Sequence, residues 1–147
     1  MIRAMQEGDR ELFLELAAEF YHSDAVLHPV PEEFHSRTFA EMMSSDRYLN
    51  GYILEQENQA AGYAITAKTF SQEAGGIVVW IDEIYILPPY RSKGLAREFF
   101  QYLESHRHPG IKRIRLEVEE ENVQAISLYK RLGFNDLEYI QMIKDFD

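Results

Sequence analysis

The sequence contains no cysteine. That excludes disulfides, thiolate metal sites and any mechanism carried by a cysteine nucleophile. It also fits a reducing compartment, so a cytoplasmic location is the expectation. No apolar run reaches the roughly 18 residues needed to cross a bilayer. The start lacks the basic-then-apolar pattern of a secretory signal, and Met1 to Met5 reads as a first strand instead. Positive charge is scarce: 15 Lys and Arg stand against 25 Asp and Glu, for a net charge of −10. A field of that sign opposes binding to nucleic-acid phosphates and favours cationic ligands, besides maintaining solubility. Neither a nucleic-acid nor a membrane partner is expected.

What is present is enough for one ordinary domain of 147 residues, 1–147, which can bury roughly two thirds of its unfolded surface without a metal or cross-link. Leu12, Leu16 and Phe20 recur every four residues and predict a helix over 9–21. Pro31-Glu32-Glu33 suits the first turn of a second helix. From Tyr52 the pattern changes to strands: a hairpin turning at Glu57-Asn58, a second turn over 71–76, then the apolar run Ile77 to Leu87. A helix near 94–106, a strand over 111–118, a helix over 122–132 and a last strand over 137–143 complete the chain. Gly133 is placed as the residue that ends the fourth helix. The predicted order is β-α-α-β-β-β-α-β-α-β, an α/β fold with a mixed sheet and helices on both faces.

The stretch Ile84 to Ala96 is the most informative. An apolar strand ends in Pro88-Pro89-Tyr90, and Arg91-Ser92-Lys93-Gly94-Leu95-Ala96 opens a helix. The first amides of a helix have no internal acceptor and the dipole adds positive potential there, so the segment is built to hold an anion. Gly94 allows close approach of the backbone, and Arg91 and Lys93 supply charge in an otherwise acidic chain. Neither a P-loop nor a dinucleotide fingerprint occurs, because their glycine spacings are absent.

Arg-x-x-Gly-x-Ala after such a strand closely resembles the acyl-CoA motif of the GNAT superfamily of N-acetyltransferases. Asn122-x-x-Ala125-x-x-Leu128-Tyr129, followed by Leu132-Gly133-Phe134, resembles the second half of the same family domain, and the element order covers the whole of it. The resemblance implies a GNAT-like mixed, largely antiparallel sheet of about six to seven strands with helices on both faces. It implies acetyl-CoA as cosubstrate and no metal. Arg91, Ser92, Lys93, Gly94, Leu95 and Ala96 would hold the pyrophosphate, Ile86 and Leu87 would pair their backbone groups with pantetheine, and Asn122 would contact the same arm. It also implies that the final strand serves in homodimer contacts.

Without cysteine, the amine must attack the thioester directly. The amine then has to lose a proton, the oxyanion needs a donor, and the departing thiolate needs a proton. The resemblance assigns the last task to Tyr129, which lies seven residues, about two helical turns, from Asn122. A tyrosine that merely caps the core with its hydroxyl outward is the bland alternative. Asn122 is equally a natural N-cap. Asp82 and Glu83 interrupt the apolar strand and are the candidate general bases. Strict alternation lets only one of them face the acceptor. Aminoglycoside and polyamine acetyltransferases have a carboxylate four residues before the pantetheine-pairing position, which is Asp82, so Asp82 acting through a water is preferred. Other members carry an acid where this chain has Trp80, and Glu83 has a second reading as a partner of Arg115. A strand bulge would free the backbone N–H of Ile86 or Leu87 for the oxyanion.

His22, His28 and His35, in the loop region before the sheet, match no tight ligand spacing, although His28 is a candidate for lining the acceptor pocket. His106 and His108 sit at a helix end, where a cation favours the dipole. The acidic run Glu117 to Glu121 reads as a solvated loop. The functional expectation is transfer of an acetyl group to a small or side-chain primary amine: a polyamine, an aminoglycoside-like amine or a lysine. The rival is a CoA-binding regulatory module without turnover.

Overall fold

The computed structural model describes residues 1–147. Five strands and four helices form in the order β1 (Ile2–Ala4), α1 (Arg10–Tyr21), α2 (Glu32–Ser44), β2 (Leu49–Gln56), β3 (Gln59–Ser71), β4 (Gly76–Ile86), α3 (Leu95–Ser105), β5 (Ile111–Leu116) and α4 (Val123–Arg131). The strands make one sheet in the order β1-β2-β3-β4-β5. Neighbours are antiparallel from β1 to β4, and β5 runs parallel to β4. The chain divides into two compact units, residues 1–117 and 118–147.

The hairpin forms as its sequence requires: Glu57 and Asn58 both adopt positive φ, at 51° and 62°, which matches the right-handed twist of β2 and β3. Alternation along β2 then splits the packing between two faces. Ile53 is buried with Phe13, Leu16, Phe39, Met42, Tyr63 and Tyr85 in the core beneath α1 and α2. Its neighbour Tyr52 meets Phe99 and Tyr102 of α3, at 5.4 and 5.9 Å between ring centroids. Helices on both faces are therefore a direct outcome of period-two patterning.

The expected six to seven strands are not all formed. Residues 137–143, predicted as a last strand, carry no strand structure. Ile140, Met142 and Ile143 are almost fully exposed, at 93%, 91% and 88%. Apolar character alone does not make a strand, because each strand needs a ladder partner to take up its peptide groups.

One polar cluster ties β1 to α1. Arg3 reaches both oxygens of Asp9, at 2.8 and 2.9 Å, and Glu55 at 2.7 Å. The guanidinium and the Gln6 N–H hold the Asp9 carboxyl below the usual carboxylate range, against the opposing effect of burial. A carboxylate lowered in the folded state contributes stability at neutral pH, and that contribution is lost as pH falls through its folded value. Asp9→Asn is expected to cost about 1.5–3 kcal/mol at pH 7 by urea melts, and the gap from the parent should close in acid.

Candidate active site

The segment expected to hold an anion is built by the turn after β4. Pro88–Tyr90 form a single 3-10 turn, Ser92 takes φ 61°, and Gly94 takes φ 84° as the N-cap of α3. Left-handed residues alternating with others are the backbone pattern that can aim successive amides at one anion. The N–H groups of Ser92, Lys93, Gly94, Leu95, Ala96 and Arg97 donate to no backbone carbonyl, and no side chain caps the helix start. A Cβ at Gly94 would meet no atom within 4 Å. Glycine is therefore required here for its dihedral and for approach from outside, not for internal packing. Arg91 folds back so that Nε donates to the Ile86 carbonyl at 2.8 Å and the guanidinium covers Tyr85 at 5.7 Å.

The sheet opens beside this loop. β4 pairs with β5 only as far as Ile81 opposite Leu116, whereas its pairing with β3 continues to Ile86 opposite Gly62. Over residues 82–86, β4 is therefore paired on one edge alone. The Leu87 N–H donates to Ala61 O at 2.8 Å, which fixes the phase of the ladder. By antiparallel geometry the N–H and C=O of Ile86 then point away from β3, toward the unpaired edge. The Leu87 carbonyl accepts from Tyr90 N–H at 2.9 Å and the Ile86 carbonyl from Arg91 Nε at 2.8 Å, so the group these bonds leave open is the Ile86 N–H. The expectation that either residue could serve the oxyanion narrows to Ile86.

A bulge lies where the carboxylates are. Glu83 pairs with Ile65 and Ile81 with Thr66, so Asp82 is the extra residue with no partner on β3. Bulges break the strict alternation of a strand. Strict alternation therefore does not apply to Asp82 and Glu83, and the charges of both act on the Tyr21 hydroxyl. The bulge also precedes Ile86 by four residues instead of falling at it.

Glu83 is held from two elements. Tyr21 OH, at the end of α1, donates to Oε1 at 2.5 Å, and Tyr63 OH, on β3, donates to Oε2 at 3.3 Å. Burial raises the Glu83 carboxyl above its ordinary value and the Asp82 charge adds to that, while the two tyrosine hydrogen bonds work against both. Asp82 is raised as well, first by burial and then by Glu117. Asp82 is the more exposed of the pair, while the two tyrosine hydrogen bonds favour the charged form of Glu83 against its burial. Arg115, expected as a partner for Glu83, instead covers Trp80, with 3.9 Å between the guanidinium carbon and the ring centroid. That placement follows from their register as opposite residues on β4 and β5.

Sequence reasoning missed Tyr21, Tyr63 and Glu117 as neighbours of these acids. A tyrosine within the apolar alternation of β3 was the available signal, since a buried phenol usually requires a hydrogen-bond partner. His35, expected in the loop region before the sheet, lies on α2, buried, with its ring 4.9 Å from that of Tyr21. His22 caps the end of α1.

In the second unit, Asn122 caps α4 by accepting from Ala125 N–H at 3.2 Å. Gly133, at φ 95°, closes the helix with Gly133 N–H to Lys130 O and Phe134 N–H to Tyr129 O, at 3.1 and 3.0 Å. This double closure brings the Tyr129 and Phe134 rings within 6.0 Å. Burial raises the Tyr129 hydroxyl above its ordinary value, so it remains protonated at neutral pH.

The model of the acetyltransferase (GNAT) family matches residues 10–134, which contain the loop, the bulge and α4. The chain belongs to the GNAT family of acetyltransferases. This GNAT chain is 32% identical over 117 residues to the ribosomal protein bS18-alanine N-acetyltransferase of Escherichia coli K12, covering 79% of this chain and 72% of that protein. It is 40% identical to the spermine/spermidine N(1)-acetyltransferase of Bacillus subtilis strain 168 over 58 residues, 38% of each. Among solved structures, a possible acetyltransferase from Clostridium difficile 630 superposes with a TM-score of 0.82 at 17% identity, covering 100% of this chain and 97% of that one. AAC(6')-Iy, in complex with the bisubstrate analogue CoA-S-monomethyl-acetylneamine, superposes with a TM-score of 0.81 at 19% identity, covering 100% and 98%. The GNAT fold is thus shared well beyond sequence similarity.

Proposed function

We propose that this chain transfers the acetyl group of acetyl-CoA directly to a primary amine of a cationic acceptor. The observation that carries the reading is the pairing of an acid-rich bulge, Asp82 and Glu83, with an open β4 edge that leads into a loop of unpaired amides. The free N–H groups of 92–97, with Arg91 and Lys93 beside them, fit the pyrophosphate of CoA. The outward peptide of Ile86 fits the pantetheine arm and supplies a donor for the oxyanion.

The chemistry then needs three proton and electron movements. An ammonium acceptor gives a proton to the carboxylate pair, directly or by water, and its nitrogen lone pair forms the C–N bond at the thioester carbon. The carbonyl electrons collect on oxygen beside the Ile86 N–H, then return as the C–S bond breaks. Tyr129 gives its proton to the leaving thiolate, the role carried over from the family motif, and the second proton that nitrogen sheds as the amide forms returns to Tyr129 through water. The acids Asp82, Glu83 and Glu117 favour an acceptor that arrives positively charged. The names of relatives support this breadth of amines: bS18 alanine, spermine and spermidine, thialysine and aminoglycosides.

Thiol release from acetyl-CoA, measured over a panel of spermidine, an aminoglycoside, a lysine peptide and an alanine N-terminal peptide, tests the proposal. Turnover with at least one of them is expected. Tight CoA binding with no release from any amine would return the chain to the non-catalytic CoA-binding reading.

A further inference from the structure

Tyr21 is placed by the last turn of α1, and two further elements, β4 and α2, converge on it. Its hydroxyl donates to Glu83 on β4, its ring packs edge-on against Phe20 at 5.4 Å, and its other side meets buried His35 on α2 at 4.9 Å. Tyr63 engages the opposite oxygen of the same carboxylate from β3, but over a longer 3.3 Å. The carboxylate is therefore gripped firmly at Oε1 and loosely at Oε2. A carboxylate oxygen offers two lone pairs, so Oε2, with the weaker partner, is the atom with capacity for an incoming proton.

We propose that Tyr21 is a positioning residue for proton removal: it fixes the Glu83 carboxylate through Oε1 so that Oε2 receives the acceptor's proton, while Asp82 at the bulge supplies the second charge that binds the cationic acceptor. This rests on the acetyl-transfer reading above and divides the work between the two acids. Geometry carries it, because an unrestrained glutamate has three side-chain torsions to fix before it can meet an amine, and one short charge-assisted bond removes most of that freedom. The step balances simply. The amine N–H bond breaks, its electrons stay on nitrogen as the attacking pair, and the proton forms an O–H bond on Glu83; Tyr21 keeps its own proton throughout.

The charged and titratable groups around Glu83 set the sign of the test. Tyr21 from α1 and Tyr63 from β3 donate to it, Asp82 on β4 repels it, and Glu117 at the end of β5 acts on Asp82. His35 from α2 packs against Tyr21, its proton affinity lowered by burial, raised by Glu32 and lowered again by His22. Glu19, also on α1, is taken by the Tyr85 hydroxyl at 3.0 Å. Removing the Tyr21 hydroxyl should make Glu83 easier to protonate, and neutralising Asp82 should make it harder.

The experiment is the pH profile of kcat/KM for the parent chain, Tyr21→Phe and Asp82→Asn. In Tyr21→Phe the acid limb is expected to move up by about one pH unit, with about a tenfold loss on that limb that recovers in alkali, and with KM for acetyl-CoA unchanged. In Asp82→Asn the acid limb should move down and KM for the amine should rise. A uniform loss across pH in Tyr21→Phe, with an unmoved limb, would make Tyr21 structural and overturn the proposal. Carbon-13 NMR titration of the glutamate carboxyls reads the same quantity without turnover: the Glu83 midpoint should rise in Tyr21→Phe, and an unmoved midpoint also overturns it. If the parent itself releases no thiol, the acetyl-transfer reading fails, and the NMR arm still decides whether Tyr21 holds Glu83.

Discussion

Gly94→Val is expected to weaken acetyl-CoA binding about a hundredfold, measured by calorimetry on the folded variant. Two effects add. Gly94 sits at φ 84°, a region that a β-branched residue adopts only under strain, so the backbone from 92 to 96 must re-form. The new side chain also projects outward, since a Cβ there meets no internal atom within 4 Å, and outward is the side from which an anion approaches. Losing one or two charge-assisted N–H bonds at about 1.5–3 kcal/mol each is enough for that factor. Because the strain falls at an exposed helix start, the melting temperature should drop only modestly. Gly94→Ala, which keeps the strain and removes most of the bulk, should fall between the two. Unchanged affinity in Gly94→Val would show that the loop amides do not grip the phosphates.

Tyr129→Phe is expected to lower kcat by about a hundredfold at neutral pH and to leave the affinity for acetyl-CoA unchanged. The phenol is held protonated by burial, which suits a donor and not a base. Its backbone is fixed by the glycine closure at Gly133, and the Phe134 ring packs against its own, so loss of the oxygen alone should leave α4 intact. Rates with thioesters of better leaving groups should be affected less, since a stable thiolate needs less help to depart. Unchanged kcat would return Tyr129 to the role of a structural tyrosine.

Much of the fold was legible because local signals and tertiary demand agreed. Glu57-Asn58 could form a tight hairpin, Pro31-Glu32-Glu33 could begin a helix, and Gly133 could end one, each for reasons contained in a few consecutive residues. The loop at 91–96 was legible on the same terms, since helix-end amides and a left-handed glycine are local properties. The last strand was not, because the residues of 137–143 carry apolar character without any sequence mark of the partner a strand requires.

The carboxylates show the limit most clearly. Their presence in an apolar strand was plain, but their orientation was argued from alternation, and the bulge that cancels alternation is a matter of pairing between β3 and β4. The Leu87 N–H is taken by a bond to Ala61, and Arg115 was drawn to Trp80 by strand register; both partners are distant in sequence.

The sequence by itself determined the loop of unpaired amides, the two acids, the capped helix bearing Tyr129 and the family to which they point, because each depends on neighbours along the chain. Only the tertiary structure decided which acid is gripped, by Tyr21 from 62 residues away and Tyr63 from 20, and where β4 parts from β5. Hydrogen bonds across elements depend on register, and register is fixed by the packing of the whole sheet.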